Sequence, residues 1–381
     1  MSSRLVVLGG TGSIGTQTLE VADGLGLEVE VLAARRPSEA LAVLGRRYPD
    51  AKVIVAGGSG EELEDFQHTL GRRPERGANA ILEAAGHPGR VVVNGIVGAA
   101  GLRATVAALE AGNRVALANK ESLVAGGPVV VSALETYGGE LVPVDSEHSA
   151  LYQCLAGEPV ESVSRLILTA SGGPFRGRSR EDLAEVTPRE ALQHPTWDMG
   201  RRITVDSATM FNKGLEIIET HFLFGVDYDR IDVVVHPQSI LHSAVEFVDG
   251  SWKGHFGHPD MRIPIQYALT APERAVGPGD PFTLAGMDLT FEEPDREAFP
   301  ALDLAFEVGR KGGSAPAVMN AADEIAVEAF LQGRLGFLGI TDVVRRTVGE
   351  VEWRKVETVE DVVEVDSEAR AAAAGLISRV C

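Results

Sequence analysis

The chain has 381 residues, of which 44% are hydrophobic and 24% charged, with a formal net charge of -20 and two cysteines. That length exceeds what one hydrophobic core sustains, so two or three domains are expected. The acidic excess argues against nucleic acid or an anionic membrane as a partner, since either needs a broad basic face, and the longest apolar stretch, Val91 to Leu102, is broken by Asn94 and glycines and falls short of a membrane span.

Only Ser2, Ser3 and Arg4 stand between Met1 and the first strand-like run, which leaves no room for a targeting peptide and sets the expectation of a cytoplasmic protein. Cys154 and Cys381 read as reduced thiols. Arg4 to Leu8 is a short apolar strand running into a glycine turn, Gly9 to Gly15, and then a helix from Thr16 to Ala22, the opening of a βαβ unit. Further strand-like runs follow at Val29 to Ala33, Lys52 to Val55, Val91 to Asn94, Arg114 to Ala118 and Glu140 to Val144, separated by helical stretches such as Leu102 to Ala111. This alternation predicts an α/β, Rossmann-like, doubly wound parallel sheet over residues 1–146. From 147 to 271 the strands Arg165 to Thr169, Asp232 to Val235 and Ser243 to Val248 mix with loops and one polar-faced helix, an α+β texture. Residues 272–297, rich in Pro, Gly and acidic side chains, read as a linker. From 298 to 381 the helical spacing of Ala317, Val318, Ala321, Ala322, Ile325 and Phe330, with Gly333 as a stop, predicts a small helical domain.

Several motifs carry chemistry. Gly10-x-Gly12-x-x-Gly15, between strand and helix, is placed to let the backbone, with Thr11, Ser13 and Ile14, approach a dinucleotide pyrophosphate; the alternative is a tight glycine turn without a ligand. Arg35 and Arg36 end the second strand where NAD enzymes carry an acidic residue, which favours the 2′-phosphate of NADPH; a solvated arginine pair is the alternative. Asp145 and Glu147, read as alternate residues of an extended segment, face one side, and Glu216 is a natural third carboxylate for a hard divalent cation; acidic residues at such positions are also commonly just solvated. Glu216 falls in a predicted helix from Ala208 to Phe224, sharing a face with Asn212 and Lys213, and Asp206-Ser207 reads as its N-cap. A helix N-terminus, Ser207 and Lys213 together suit a phosphate. Ser171, opening the turn Ser171-Gly172-Gly173-Pro174, reaches the same anion or is simply part of a turn. His194 to Gly200 is a loop with Trp197 and Met199 that reads as a lid or as an anchor around a buried Trp197. Lys120, flanked by Asn119 and Glu121, follows a strand at the carboxyl end of the sheet, and His236, His242 and His258 read as mainly structural.

The motifs GGTGSIG, ALANKESLV, PVDSEHSALYQCL, ASGGPF, HPTWDMG, TVDSATMFNKGLEIIE and HPQSILHS, followed by NAADEIAVEAFL, resemble the 1-deoxy-D-xylulose 5-phosphate reductoisomerase family of the non-mevalonate isoprenoid pathway. The resemblance implies metal-dependent isomerisation and NADPH-dependent reduction of that sugar phosphate to 2-C-methyl-D-erythritol 4-phosphate by a homodimer. It implies that Asp145, Glu147 and Glu216 hold Mg²⁺ or Mn²⁺, with Co²⁺ a further candidate, and that Ser146, Glu147 and Glu216 also meet the sugar. Ser171, Ser207, Asn212 and Lys213 are implied as phosphate ligands. His194, Trp197 and Met199 belong to the implied lid, with His194 and Trp197 also touching substrate. Gly10, Thr11, Gly12, Ser13, Ile14, Arg35, Arg36, Asn119, Lys120, Glu121, Met199 and Gly200 are the implied cofactor contacts, and Lys120, Glu147 and His194 the implied catalytic groups. The carbon skeleton would break and rejoin on the cation by a retro-aldol and aldol route, and NADPH would reduce the resulting aldehyde. The chain departs from the family pattern at Ala34-Arg35-Arg36, where many members carry Gly-Lys-Asn, and at Asp323, where asparagine is usual. Two rivals are an NADP-dependent homoserine or semialdehyde dehydrogenase, which would need no acidic trio, and a cofactor-sensing protein without catalysis.

Overall fold

In the computed structural model residues 4–98, 100–197 and 199–380 are described, the last without its side chain; Cys381 and Asp198 of the His194–Gly200 loop lie outside them. The elements in order are β1 (Arg4–Leu8), α1 (Ser13–Leu25), β2 (Glu28–Ala34), α2 (Glu39–Arg47), β3 (Lys52–Val55), α3 (Gly60–Leu70), β4 (Glu75–Arg76), α4 (Ala78–Ala85), β5 (Arg90–Asn94), α5 (Ala100–Glu110), β6 (Arg114–Leu117), α6 (Lys120–Tyr137), β7 (Glu140–Pro143) and α7 (Ser146–Leu155). They continue with β8 (Val163–Ala170), α8 (Pro188–Ala191), α9 (Arg201–Thr209), α10 (Phe211–Phe224), β9 (Ile231–Val235), β10 (Leu241–Phe247), β11 (Trp252–Phe256) and α11 (Arg262–Thr270). The last four helices are α12 (Ala301–Lys311), α13 (Ala315–Leu331), α14 (Phe337–Glu350) and α15 (Val359–Val380).

The chain divides into two compact units, and neither is continuous. The first comprises 1–122, 130–149 and 260–281, the second 123–129, 150–259 and 282–381. This differs from the four consecutive segments expected from the sequence. Helix α11 packs against α1, β6 and β7 of the first unit, burying Ile265, Ala268 and Leu269, rather than closing a domain that starts at 147. The expected linker is divided, 272–281 falling in the first unit and 282–297 in the second.

The first unit holds a parallel sheet of order β4-β3-β2-β1-β5-β6-β7. Its central strands are buried on both faces and so read as unbroken apolar runs, as Val6, Val7, Leu8 and Val91, Val92, Val93 do. Strand order reverses between β1 and β5, which opens a crevice at their carboxyl ends. There Gly9 has φ +85, and a Cβ on it would lie 2.5 Å from Gly95 O, so the turn after β1 rests directly on the turn after β5.

The second unit holds a sheet of order β11-β10-β8-β9, with β8 and β9 parallel and β10 antiparallel to its neighbours. The parallel pair sends Ser171 and His236 off the same end, and His236 N–H donates to Ala170 O at 2.7 Å. Residues 123–129 belong here because the middle of α6 bends at Gly126 and lays Gly127 against α10, where a Cβ would meet the Phe222 ring at 2.3 Å. Helix α13 packs on α9, α12, α14 and α15. The short edge strands β4 and β11 went unread in the sequence; β4 has two exposed residues and β11 exposes most of Trp-Lys-Gly-His-Phe, so neither shows apolar periodicity.

Candidate active site

In the first unit the glycine turn is shaped by contacts only glycine allows. A Cβ on Gly15 would lie 2.4 Å from Gly9 O and 2.6 Å from Gly10 Cα. Helix α1 starts there with Gly12 as N-cap, no side-chain cap and no acidic residue in its first turn, which leaves a positive helix end bare beside Thr11 and Ser13. Arg35 and Arg36 follow β2 at the same edge of the sheet, both exposed.

Asn119 caps α6: its Oδ1 accepts from Ser122 N–H at 3.0 Å and from the Ser122 hydroxyl, while Nδ2 donates to Gly98 O at 3.0 Å and Glu121 Oε2 at 2.7 Å. Glu121 Oε1 accepts from Gly98 N–H at 3.0 Å. The Asn119 side-chain amide is thereby engaged within the unit, where it fixes the loop after β5. Lys120 at the start of α6 forms an ion pair with Asp145, so the neighbouring strands β6 and β7 bring a cation and a carboxylate together. Asp145 and Glu147 are not in an extended segment. Asp145 caps α7, its Oδ1 accepting from Glu147 N–H at 3.1 Å and His148 N–H at 3.2 Å, and Glu147 stands in the first turn with Ser146 donating to its Oε2 at 2.6 Å. His148, fully buried and unremarked in the sequence, places Nδ1 3.3 Å from Asp145 Oδ1.

In the second unit α9 and α10 are separate helices, divided by Met210 with φ +67. Asp206 and Ser207 therefore sit in the last turns of α9 and do not cap the helix that carries Glu216. The break still supplies a helix start: α10 has no side-chain cap and no acidic residue in its first turn, where Asn212 and Lys213 stand. Glu216, with 0% exposure, accepts from Asn212 Nδ2 at 2.7 Å and pairs with Lys213, itself 4% exposed. The turn after β8 comes against this corner, since a Cβ on Gly173 would lie 2.8 Å from Ser207 O.

Ser171 Oγ lies 3.0 Å from His194 Nε2 and accepts from Gly173 N–H at 3.2 Å. His194 Nδ1 accepts from the backbone N–H groups of Thr196 at 3.1 Å and Trp197 at 2.9 Å. Both acceptances require Nδ1 to be bare, so the neutral ring carries its proton on Nε2 and donates to Ser171, whose own hydroxyl hydrogen is left to serve another acceptor. Burial holds His194 below its ordinary range and so favours that neutral form. Trp197 is half-buried and Met199 likewise, which does not make Trp197 a buried anchor. Gly200 caps α9. His236 is fixed between Thr290 O and Ile240 N–H, at 2.9 and 3.1 Å, and stacks on Phe291.

Curated relatives are alike over nearly the whole chain. The 1-deoxy-D-xylulose 5-phosphate reductoisomerase of Desulforamulus reducens is 48% identical over 97% of each chain, and that of Caulobacter vibrioides 46% identical over 99% of this chain and 97% of its own. The chain belongs to the 1-deoxy-D-xylulose 5-phosphate reductoisomerase family. Profiles of the reductoisomerase match residues 5–127, described by that enzyme's name, and residues 141–224 and 256–372, each described as a reductoisomerase C-terminal domain. Among solved structures, the reductoisomerase of Zymomonas mobilis in complex with NADPH is 42% identical with a TM-score of 0.92 over 99% of each chain. A reductoisomerase in complex with NADPH, fosmidomycin and magnesium is 34% identical with a TM-score of 0.91 over 99% of each chain. The seven-stranded sheet, the smaller sheet and the helical C-terminal region are thus the reductoisomerase fold. What the sequence did not reveal is Arg202, which has partners over 100 residues away on α13.

Proposed function

We propose that the side chains described above divide the reductoisomerase reaction into cofactor binding by the first unit and substrate binding by the second. The reaction itself is metal-dependent isomerisation and NADPH-dependent reduction of 1-deoxy-D-xylulose 5-phosphate to 2-C-methyl-D-erythritol 4-phosphate, and it rests on the near full-length identity with reductoisomerases. The glycine cradle and bare start of α1 fit a pyrophosphate, and Arg35 and Arg36 fit the extra phosphate of NADPH, which supplies hydride when bound. Asp145, Glu147 and Glu216 offer carboxylate oxygens and no thiolate, a donor set that fits Mg²⁺ or Mn²⁺; two of them already face an ammonium group. When bound, the cation polarises the substrate's carbonyl and neighbouring hydroxyl oxygens.

The chain's own groups do the rest. Ser171 donates its free hydroxyl hydrogen to the substrate phosphate, the proton on His194 Nε2 keeping that hydroxyl turned outward. Ser207, Asn212, Lys213 and the start of α10 complete the anion site, with Lys213 as its charge. Ser146 and Glu147 meet the sugar, and Lys120 its hydroxyls. His194, Trp197 and Met199 form a lid in which the Trp197 backbone is tied to the His194 ring, so that phosphate binding and lid order are linked. The protein acts as a homodimer in the cytoplasm on this reading; the edge strand β11 exposes Trp252 at 54% and Phe256 at 41%, as a strand that pairs with a second copy would. No helix among the described residues is long and apolar enough to cross a membrane.

The decisive test is Glu216→Gln, which preserves size and removes a ligand charge. Turnover is expected to vanish and Mn²⁺ binding by titration calorimetry to weaken strongly, with NADPH affinity unchanged. Native-like turnover, or full activity in excess chelator, would refute the assignment.

A further inference from the structure

Arg202 stands in the first turn of α9, where the helix dipole disfavours a cation. Its partners explain its place. Nη2 donates to Asn320 Oδ1 at 3.1 Å and Asp323 Oδ2 at 3.3 Å, Nη1 lies 3.0 Å from Glu324 Oε1, and Nε lies 3.5 Å from Asp206 Oδ2 on α9 itself. Asn320 and Asp323 are fully buried. One guanidinium thus joins the helix that carries Ser207, and the loop that immediately precedes it, to one face of α13.

We propose that Arg202 is a positioning residue for substrate binding, holding α9 and its flanking loop on α13, and that the charge on Asp323 sets the strength of that hold. The proposal rests on the reading of Ser207 as a phosphate ligand. The charged groups around Asp323 are Arg202 and Asp206 from α9, Glu324 from α13 and, one step further, Arg370 and Asp366 from α15, Arg370 bonding Glu324 and Asp366 at 2.6 Å each. Helices α12 and α14 bury apolar residues, glycine and two threonines, and the buried charges of α10 are Lys213, Glu216 and Glu219. Of these groups Asp323 is wholly out of water, where a charged carboxylate is disfavoured. Burial pushes the Asp323 carboxyl up to about 6, against the pull of Arg202. When ionised, Asp323 draws Arg202 toward α13. Once it takes a proton, its charge no longer draws the guanidinium and the tie to α13 slackens.

The test is the pH dependence of the substrate KM for Asp323→Asn relative to the native enzyme, from pH 5 to 8; the substrate phosphate titrates in this range, and the ratio cancels it. The ratio is expected near 1 at pH 5, where native Asp323 is neutral like the amide, and to rise to about three- to tenfold at pH 8, with NADPH KM unchanged. Arg202→Met should raise substrate KM at every pH with kcat within about twofold, and Arg202→Lys, which lacks the planar fork, should recover only part of the loss. Should Arg202→Met fail to fold, the Asp323→Asn ratio decides. Ser207→Ala separates the two readings: unchanged substrate KM in that variant overturns the phosphate role of Ser207 and this inference with it. Raised KM in Ser207→Ala together with a flat Asp323→Asn ratio overturns this inference alone.

Discussion

Lys213 and Glu216 stand three residues apart on α10, both almost wholly out of water. A buried ion pair of this kind is poor evidence for stability, because each charge loses its hydration. Its presence makes sense if the pair exchanges partners, the carboxylate toward a cation and the ammonium toward a phosphate. Lys213→Ala should therefore weaken the substrate KM about ten- to a hundredfold, as loss of a charged hydrogen bond of about 1.5–3 kcal/mol requires. Steady-state assays at saturating NADPH measure it, and an NADPH KM that moves in parallel would count against a phosphate role. The common face of Asn212, Lys213 and Glu216 was legible in the sequence because helical spacing alone fixes it. The misreading of Asp206 and Ser207 as a cap has an equally local cause: nothing in Ala-Thr-Met-Phe announces that Met210 takes a left-handed conformation. Arg202 was illegible for the opposite reason, since its meaning lies in residues of α13 that no local pattern connects to it.

At the scale of elements, the strands of the first sheet other than the edge strand β4 were readable to within a residue or two, because a parallel sheet covered on both faces demands continuous apolar runs. The turn after β8 was readable as a turn, but its closeness to α9 was not. Gly173 has φ +66 and no room for a Cβ against Ser207 O at 2.8 Å. Gly173→Ala adds left-handed strain costing about 1–3 kcal/mol and pushes the turn from the helix. The expected result is a higher substrate KM and a lower Tm with NADPH affinity intact, measured by steady-state kinetics, calorimetric scanning and cofactor titration; an unaltered substrate KM would show that the turn does not shape the anion site.

For the whole molecule, Asp323 has a consequence beyond binding. Its folded-state pKa of about 6 lies above the ordinary 3.8, so between those values the folded chain holds a proton that the unfolded chain has released. Stability contributed by that proton is present below the ordinary value and is lost as pH rises through about 6. Asp323→Asn should thus match the native Tm near pH 4 and exceed it by a margin that grows up to about pH 6 and is constant above, as scanning calorimetry across that range would show; a margin independent of pH would contradict it. The family's usual residue at this position would then be the more stable one, and the carboxylate a cost kept at neutral pH. The division of the chain was the least legible feature. Reading domains as consecutive segments is blind to a short helix such as α11 returning to an earlier sheet.

That return sets an order of events during synthesis. Helix α11 covers α1, β6 and β7, yet it is made more than a hundred residues after β7. A ribosome that has released only the first 149 residues has produced every strand of the cofactor sheet and left the patch on α1, β6 and β7 that α11 covers open to water, so the nascent chain must keep that apolar surface from sticking to its neighbours until residue 281 emerges. Fragments cut at the obvious boundary after the sheet inherit the same exposed face, and a soluble cofactor-binding piece has to carry residues 260–281 along with it.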